Sequence, residues 1–144
     1  LERAGNSETG TITGIYTVLV DGDDMNDPIA DSARGILDGH IVLSRKLAEE
    51  GHYPAIDVLG SISRVMPFVV NDEHLVDSRE FRRILAKYNE SEDLITIGAY
   101  TKGTDPSIDL AIDKIGDFKA FLTQNVKDRL DYERTVELLG DIIK

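Results

Sequence analysis

Two positions in this 144-residue sequence have the plainest chemical use: Tyr53, followed by Pro54, and Arg64, eleven residues on. Pro54 fixes its own φ and pushes Tyr53 towards extended backbone, so an aromatic ring stands on a stiffened turn. Such a ring can stack on a flat ligand. Arg64 closes Ser61-Ile62-Ser63-Arg64, where short hydroxyl neighbours leave one guanidinium prominent. A planar guanidinium can meet a phosphate through two parallel hydrogen bonds. Both positions have a plainer reading as well, a packed turn and a surface charge. Short motifs by themselves favour that plainer reading.

Other chemistries are poorly supplied. His40, His52 and His74 are scattered and none pairs with carboxylates at ligand spacing, so no metal site is expected. No Ser-His-Asp set is discernible. The phosphate-loop pattern Gly-x-x-x-x-Gly-Lys-Ser/Thr does not occur, so these residues alone lack what nucleotide hydrolysis requires. There is no cysteine, which removes disulfide and thiolate chemistry. A formal net charge of −11 argues against a general nucleic-acid or anionic-membrane surface. No apolar run approaches the ~20 residues that span a bilayer.

The elements that would position Tyr53 and Arg64 read as α/β. Residues 12–20, Ile-Thr-Gly-Ile-Tyr-Thr-Val-Leu-Val, form the clearest expected strand, nearly continuous apolar at its end, as in a parallel sheet. An acidic stretch follows, from Asp21 to Asp27. It fails as a calcium loop, because the position that needs Gly is Asn26 and the one that needs Glu is Ser32. Asp27 and Pro28 then suit the cap and first turn of a helix to about Leu37. Residues 40–43 read as a second buried strand, expected beside residues 12–20, and Ser44 caps a short helix ended by Gly51. From Asn71 or Asp72 onward the pattern is helical. Leu75, Phe81, Ile84, Leu85 and Tyr88 share one face of a long helix. A second helix starts at Asp105 or Ser107, with a break allowed at Gly116, and a last one runs from Tyr132 to Ile143. The sequence starts without Met or a signal-peptide pattern, and with few strands for a parallel sheet; it reads as a piece of something longer.

The stretch 23–45, with Gly-His-Tyr-Pro-Ala-Ile-Asp (51–57), Ser-Ile-Ser-Arg (61–64), Leu-Glu-Arg-Ala-Gly-Asn (1–6) and Ile-Gly-Ala-Tyr-Thr-Lys-Gly (97–103), closely resembles the flagellum-specific ATPases. These drive flagellar type III protein export. They are similar in turn to virulence type III secretion ATPases and to the catalytic subunit of rotary ATP synthases. The resemblance is specific through about residue 105 and weaker beyond.

It implies an α/β remnant of a RecA-like nucleotide-binding domain over residues 1–66, then an all-α C-terminal helical domain over 67–144. It implies that Tyr53, beside Pro54, resembles the ring that stacks on adenine, and that Ala99 and Tyr100 resemble the second wall of that pocket. Arg64 resembles the arginine finger that reaches a γ-phosphate held by the neighbouring subunit. Asp23, Asp24 and Asp27 resemble a loop that touches a central stalk; a solvated acidic turn is the alternative. The implied cofactor is ATP with Mg2+, whose ligands lie outside these residues. The implied assembly is a cytoplasmic homohexamer, peripheral to the inner membrane at the export apparatus. Its implied partners are stalk-like and regulatory proteins, export chaperones and substrates. The isolated chain is expected to be inactive, and the helical domain alone could instead be a docking module.

Overall fold

The computed structural model describes residues 4–20, 22 and 27–144. The chain divides into two compact units, residues 1–37 and 38–144.

In the first unit, β1 (Gly5–Asn6) pairs antiparallel with β2 (Thr11–Ile12), and the turn between them is closed by Ser7 N–H donating to the Gly10 carbonyl at 2.8 Å. The expected strand over residues 12–20 is therefore corrected: only its first residue enters a ladder. Residues 13–20 pair with no strand among the described residues, and Ile15 and Leu19 are fully exposed. The apolar run carries strand propensity, but a strand exists only where an edge lies opposite to take its N–H and C=O groups. Helix α1 (Pro28–Ile36) follows the expectation, with Asp27 as N-cap and Pro28 in the first turn.

In the second unit, β3 (Gly39–Leu43) leads through Ser44 into α2 (Arg45–Glu49). Its strand partner is β4 (Ile56–Ser63), and the pairing is antiparallel. This also corrects the parallel neighbour expected for residues 40–43. β4 was not legible as a strand, because Asp57 and Gly60 interrupt its apolar residues. The ladder accommodates them with a bulge: Val42 faces Asp57 but His40 faces Ile62, so residues 58–61 swing out of register.

After α3 (Met66–Val69) the chain is helical. α4 (Asp72–Thr96) is capped by Asn71, whose side-chain oxygen accepts from His74 N–H at 2.8 Å. It ends in a turn with Gly98 at φ +71°, where glycine avoids a Cβ clash. α5 (Pro106–Leu122) starts at the Asp105 cap and runs straight through Gly116. The break that Gly116 allows does not occur. An interior glycine costs a helix only about 1 kcal/mol, and the face on either side of it is anchored by the fully buried Ala111 and Phe118. α6 (Tyr132–Ile143) completes the set, capped by Asp131.

The core joins Phe81 and Ile84 of α4, Ala111 and Phe118 of α5, and Leu139 of α6. Phe81 and Phe118 stack with centroids 4.2 Å apart, and Phe121 meets Phe81 edge-on. Val58 of the β4 bulge packs against this cluster, so the helices reach the strand that carries Arg64.

Candidate functional site

Arg64 follows directly on the last residue of β4, and its backbone is fixed from three directions. Its own N–H donates to the Asp38 carbonyl at 2.8 Å, which extends the ladder one residue past the strand. Behind it, Ser63 Oγ accepts from Met66 N–H at 3.2 Å and turns the chain into α3. Before it lies the bulge. Arg64 is exposed and makes a further interaction within the protein.

The bulge puts backbone polar groups out of reach of the ladder, and side chains satisfy them. Asp57 Oδ1 accepts from Leu59 N–H at 3.0 Å and Gly60 N–H at 2.9 Å, a local Asx turn. Ser61 Oγ donates to the Asp57 carbonyl at 2.5 Å and accepts from Val42 N–H at 2.9 Å, bridging the two strands. His40 Nε2 lies 3.2 Å from the Gly60 carbonyl, and a carbonyl partner requires the proton on that nitrogen. The three remaining carbonyls belong to one residue of α4. Arg82 Nη1 donates to Val58 O and, at 3.2 Å, to Ser61 O; Nη2 donates to Leu59 O at 3.0 Å. All five carbonyls from Asp57 to Ser61 are thus bound by side chains. Sequence reading did not single out Arg82. The Asp57-to-Gly60 spacing was the available signal, since Asp with Gly three residues on marks an Asx turn.

Tyr53 stands on the turn after α2 with 55% of its surface exposed, and the Tyr53-Pro54 peptide bond is cis. The turn is held from both sides. His52 N–H donates to Leu47 O at 2.9 Å, and the Tyr53 carbonyl accepts from Gln124 N–H at 2.8 Å, just past the end of α5. The ring itself is left available.

Ala99 and Tyr100 lie in the turn between α4 and α5. Ala99 is exposed and Tyr100 half-buried. The Tyr100 hydroxyl sits 2.9 Å from the Asp105 carbonyl and 2.8 Å from Asp109 Oδ1, and accepts from Asp105 N–H at 3.2 Å. Its polar tip is consumed by the start of α5. No ring contact or hydrogen bond joins Tyr100 to Tyr53 among the described residues.

Asp23 and Asp24 lie outside the described residues. Asp27 is committed to α1: its Oδ1 accepts from Ile29 N–H at 2.9 Å and Ala30 N–H at 3.1 Å. A separate cleft of about 530 Å³ opens between α2, β4, α4 and α5, with Leu47, His52, Val58, Tyr88 and Leu122 in its wall. None of Tyr53, Pro54, Arg64, Ala99 and Tyr100 lines it.

Residues 1–63 match the ATP synthase alpha/beta family, nucleotide-binding domain, and residues 70–141 match the T3SS EscN ATPase C-terminal domain. A flagellum-specific ATP synthase of Pseudomonas aeruginosa is 58% identical over 130 residues, covering 89% of this chain and 29% of that protein. The assembled ATPase EscN of the enteropathogenic E. coli type III secretion system superposes with a TM-score of 0.95 at 50% identity, over 99% of this chain and 35% of EscN. EscN in complex with its central stalk EscO gives 0.88 at 49% identity, over 100% of this chain and 34% of that one. The chain therefore spans about a third of the length of the relatives it matches. Its fold is a small sheet remnant of a nucleotide-binding domain followed by a helical C-terminal region.

Proposed function

The chain belongs to the type III secretion ATPase family, within the wider ATP synthase alpha/beta family, and from that premise we propose that it is the C-terminal third of a hexameric ATPase energising flagellar type III protein export. The observation that carries the reading is the mounting of Arg64: a cation with an exposed side chain on a backbone fixed by Asp38, by Ser63 and by the braced bulge. In this reading Arg64 reaches across a subunit interface to the γ-phosphate bound by its neighbour. There it neutralises the charge that builds up during phosphoryl transfer, an effect worth about 10³-fold or more in rate. Tyr53, beside Pro54, stacks on the adenine of its own subunit, and Ala99 and Tyr100 form the opposite wall. Stacking needs only a ring face, which is the part of Tyr100 not used by Asp105 and Asp109.

The domain boundary in this reading falls at residues 66 and 67. The phosphate loop and the residues that would hold Mg2+ with ATP belong to the rest of the enzyme; the sequence of the chain has no such loop. The 144 residues alone are accordingly inactive. The 58% identity to the P. aeruginosa flagellar relative favours the flagellar assignment, with type 3 secretion relatives following at up to 55%. The EscN–EscO complex supports a stalk partner, with Asp23 and Asp24 as contacts and Asp27 chiefly as the cap of α1. Export chaperones and substrates would meet the helical domain on the cytoplasmic face of the export apparatus.

The test uses the full-length enzyme. Arg64→Ala is expected to abolish ATP hydrolysis by the ring while nucleotide affinity of the monomer stays within about twofold. Tyr53→Ala is expected to weaken nucleotide binding in monomer and ring alike by about 1–3 kcal/mol, the value of one stacked base. Normal hydrolysis by the Arg64→Ala ring, or normal binding by Tyr53→Ala, contradicts the corresponding assignment.

A further inference from the structure

We infer that Arg82 is the positioning residue for Arg64: its guanidinium, reaching from α4 to the carbonyls of Val58, Leu59 and Ser61, sets the aim of the strand end that presents Arg64. The inference rests on the reading of Arg64 as an intersubunit finger.

The argument starts from the bulge. Residues 58–61 leave the ladder, and a bulge bends and twists its strand, so its conformation decides where the next residues point. Arg64 is three residues beyond Ser61. The Leu59 and Gly60 N–H groups of the bulge are held locally by Asp57, and the Gly60 carbonyl by His40. Three carbonyls of differing orientation remain, and Arg82 binds them all. Only a planar group with several fixed N–H donors can do this from one position; a lysine ammonium is a point charge on a flexible stem. Arg82 is also a direct hydrogen-bonded tie between α4 and this strand. The orientation of the bulge is therefore referenced to the helical region and not only to β3. An arginine that acts in the transition state is sensitive to such aim, because a misplacement of about 1 Å can cost about 10²-fold in rate.

The experiment takes Arg82→Gln and Arg82→Lys in the full-length ring, with Arg64→Ala alongside. Three quantities are read: kcat and KM for MgATP, ring assembly at fixed protein concentration, and trapping of MgADP with fluoroaluminate, which mimics the transferring phosphoryl group. Both Arg82 variants are expected to assemble and to keep KM within about twofold, while kcat falls by about 10- to 10²-fold. Arg82→Lys should recover only part of the loss. Fluoroaluminate trapping should fall in parallel with kcat, as in Arg64→Ala, with MgADP binding unchanged.

Unchanged kcat in both Arg82 variants, with Arg64→Ala inactive, overturns the inference and leaves the finger reading standing. Lowered kcat with normal fluoroaluminate trapping also overturns it, since Arg82 would then act elsewhere. If neither variant assembles, Arg82 is a folding residue and the inference fails. An active Arg64→Ala ring removes the finger reading itself, which is a separate and recognisable result.

Discussion

Residues 72–143 and residues 38–64 solve their burial problems differently. The helical stretch closes its own core: Phe81, Ile84, Ala111, Phe118 and Leu139 bury one another among three helices. The two-stranded sheet does not. Ile41 and Leu43 of β3 are 72% and 73% exposed, and no residue of either strand is fully buried. What gives the sheet definition is polar instead: side chains of His40, Asp57, Ser61 and Arg82 bind the irregular backbone of β4. Apolar packing sets stability in one region, and directional hydrogen bonds set conformation in the other. Arg64 sits at the end of the second kind of structure, and in the proposed reading small changes in backbone aim there matter more than bulk stability.

This contrast predicts very unequal responses to truncation. Phe118→Ala removes a fully buried ring that stacks on Phe81, and is expected to cost about 3–5 kcal/mol of unfolding free energy in urea titration of the 144-residue chain. Ile41→Thr on β3 is expected to cost less than about 0.5 kcal/mol. Comparable losses at the two sites would mean that the sheet face is packed in solution, and would break the comparison.

A smaller effect concerns the turn that carries Tyr100. Asp105 accepts hydrogen bonds from the Ser107 side chain at 2.6 Å and the Ser107 N–H at 2.8 Å, with Lys87 at 3.8 Å, and these hold its carboxyl below the usual carboxylate range. A depressed folded-state pKa means that the group stabilises the fold above its unfolded pKa. That contribution is lost as pH falls through the folded value. In NMR titration the Asp105 carboxyl is expected to protonate below the usual carboxylate range. Ser107→Ala should move the midpoint upward; no movement would show that these hydrogen bonds do not govern the carboxylate.

The helices were largely legible because their signals are local. Asp27 with Pro28, Ser44, Asn71 and Asp105 are caps that bind N–H groups two or three residues away, and each lies where the sequence indicated. The stripe through Phe81 and Ile84 is likewise local periodicity. The errors came where the deciding partner is remote. Residues 13–20 carry a strand pattern without an opposing edge among the described residues, and β4 hides its pattern behind Asp57 and Gly60. Arg82 reads as one of two adjacent helix-surface arginines until the chain brings it to Val58, more than twenty positions away. The resemblance pointed to Tyr53 and Arg64 through short motifs; the braced bulge that holds Arg64 could be seen only once the strands were paired.

The most direct test of the central claim is a mixing experiment in the full-length ring. Subunits carrying Arg64→Ala are combined with subunits that retain Arg64 but lack the phosphate-loop lysine of the same enzyme. Each parent ring is expected to be inactive. If Arg64 serves the nucleotide of its neighbour, mixed rings contain interfaces with an intact phosphate loop on one side and an intact Arg64 on the other. Hydrolysis then returns in proportion to their frequency. If mixed rings assemble and remain as inactive as either parent, Arg64 does not act across the interface and the account is wrong.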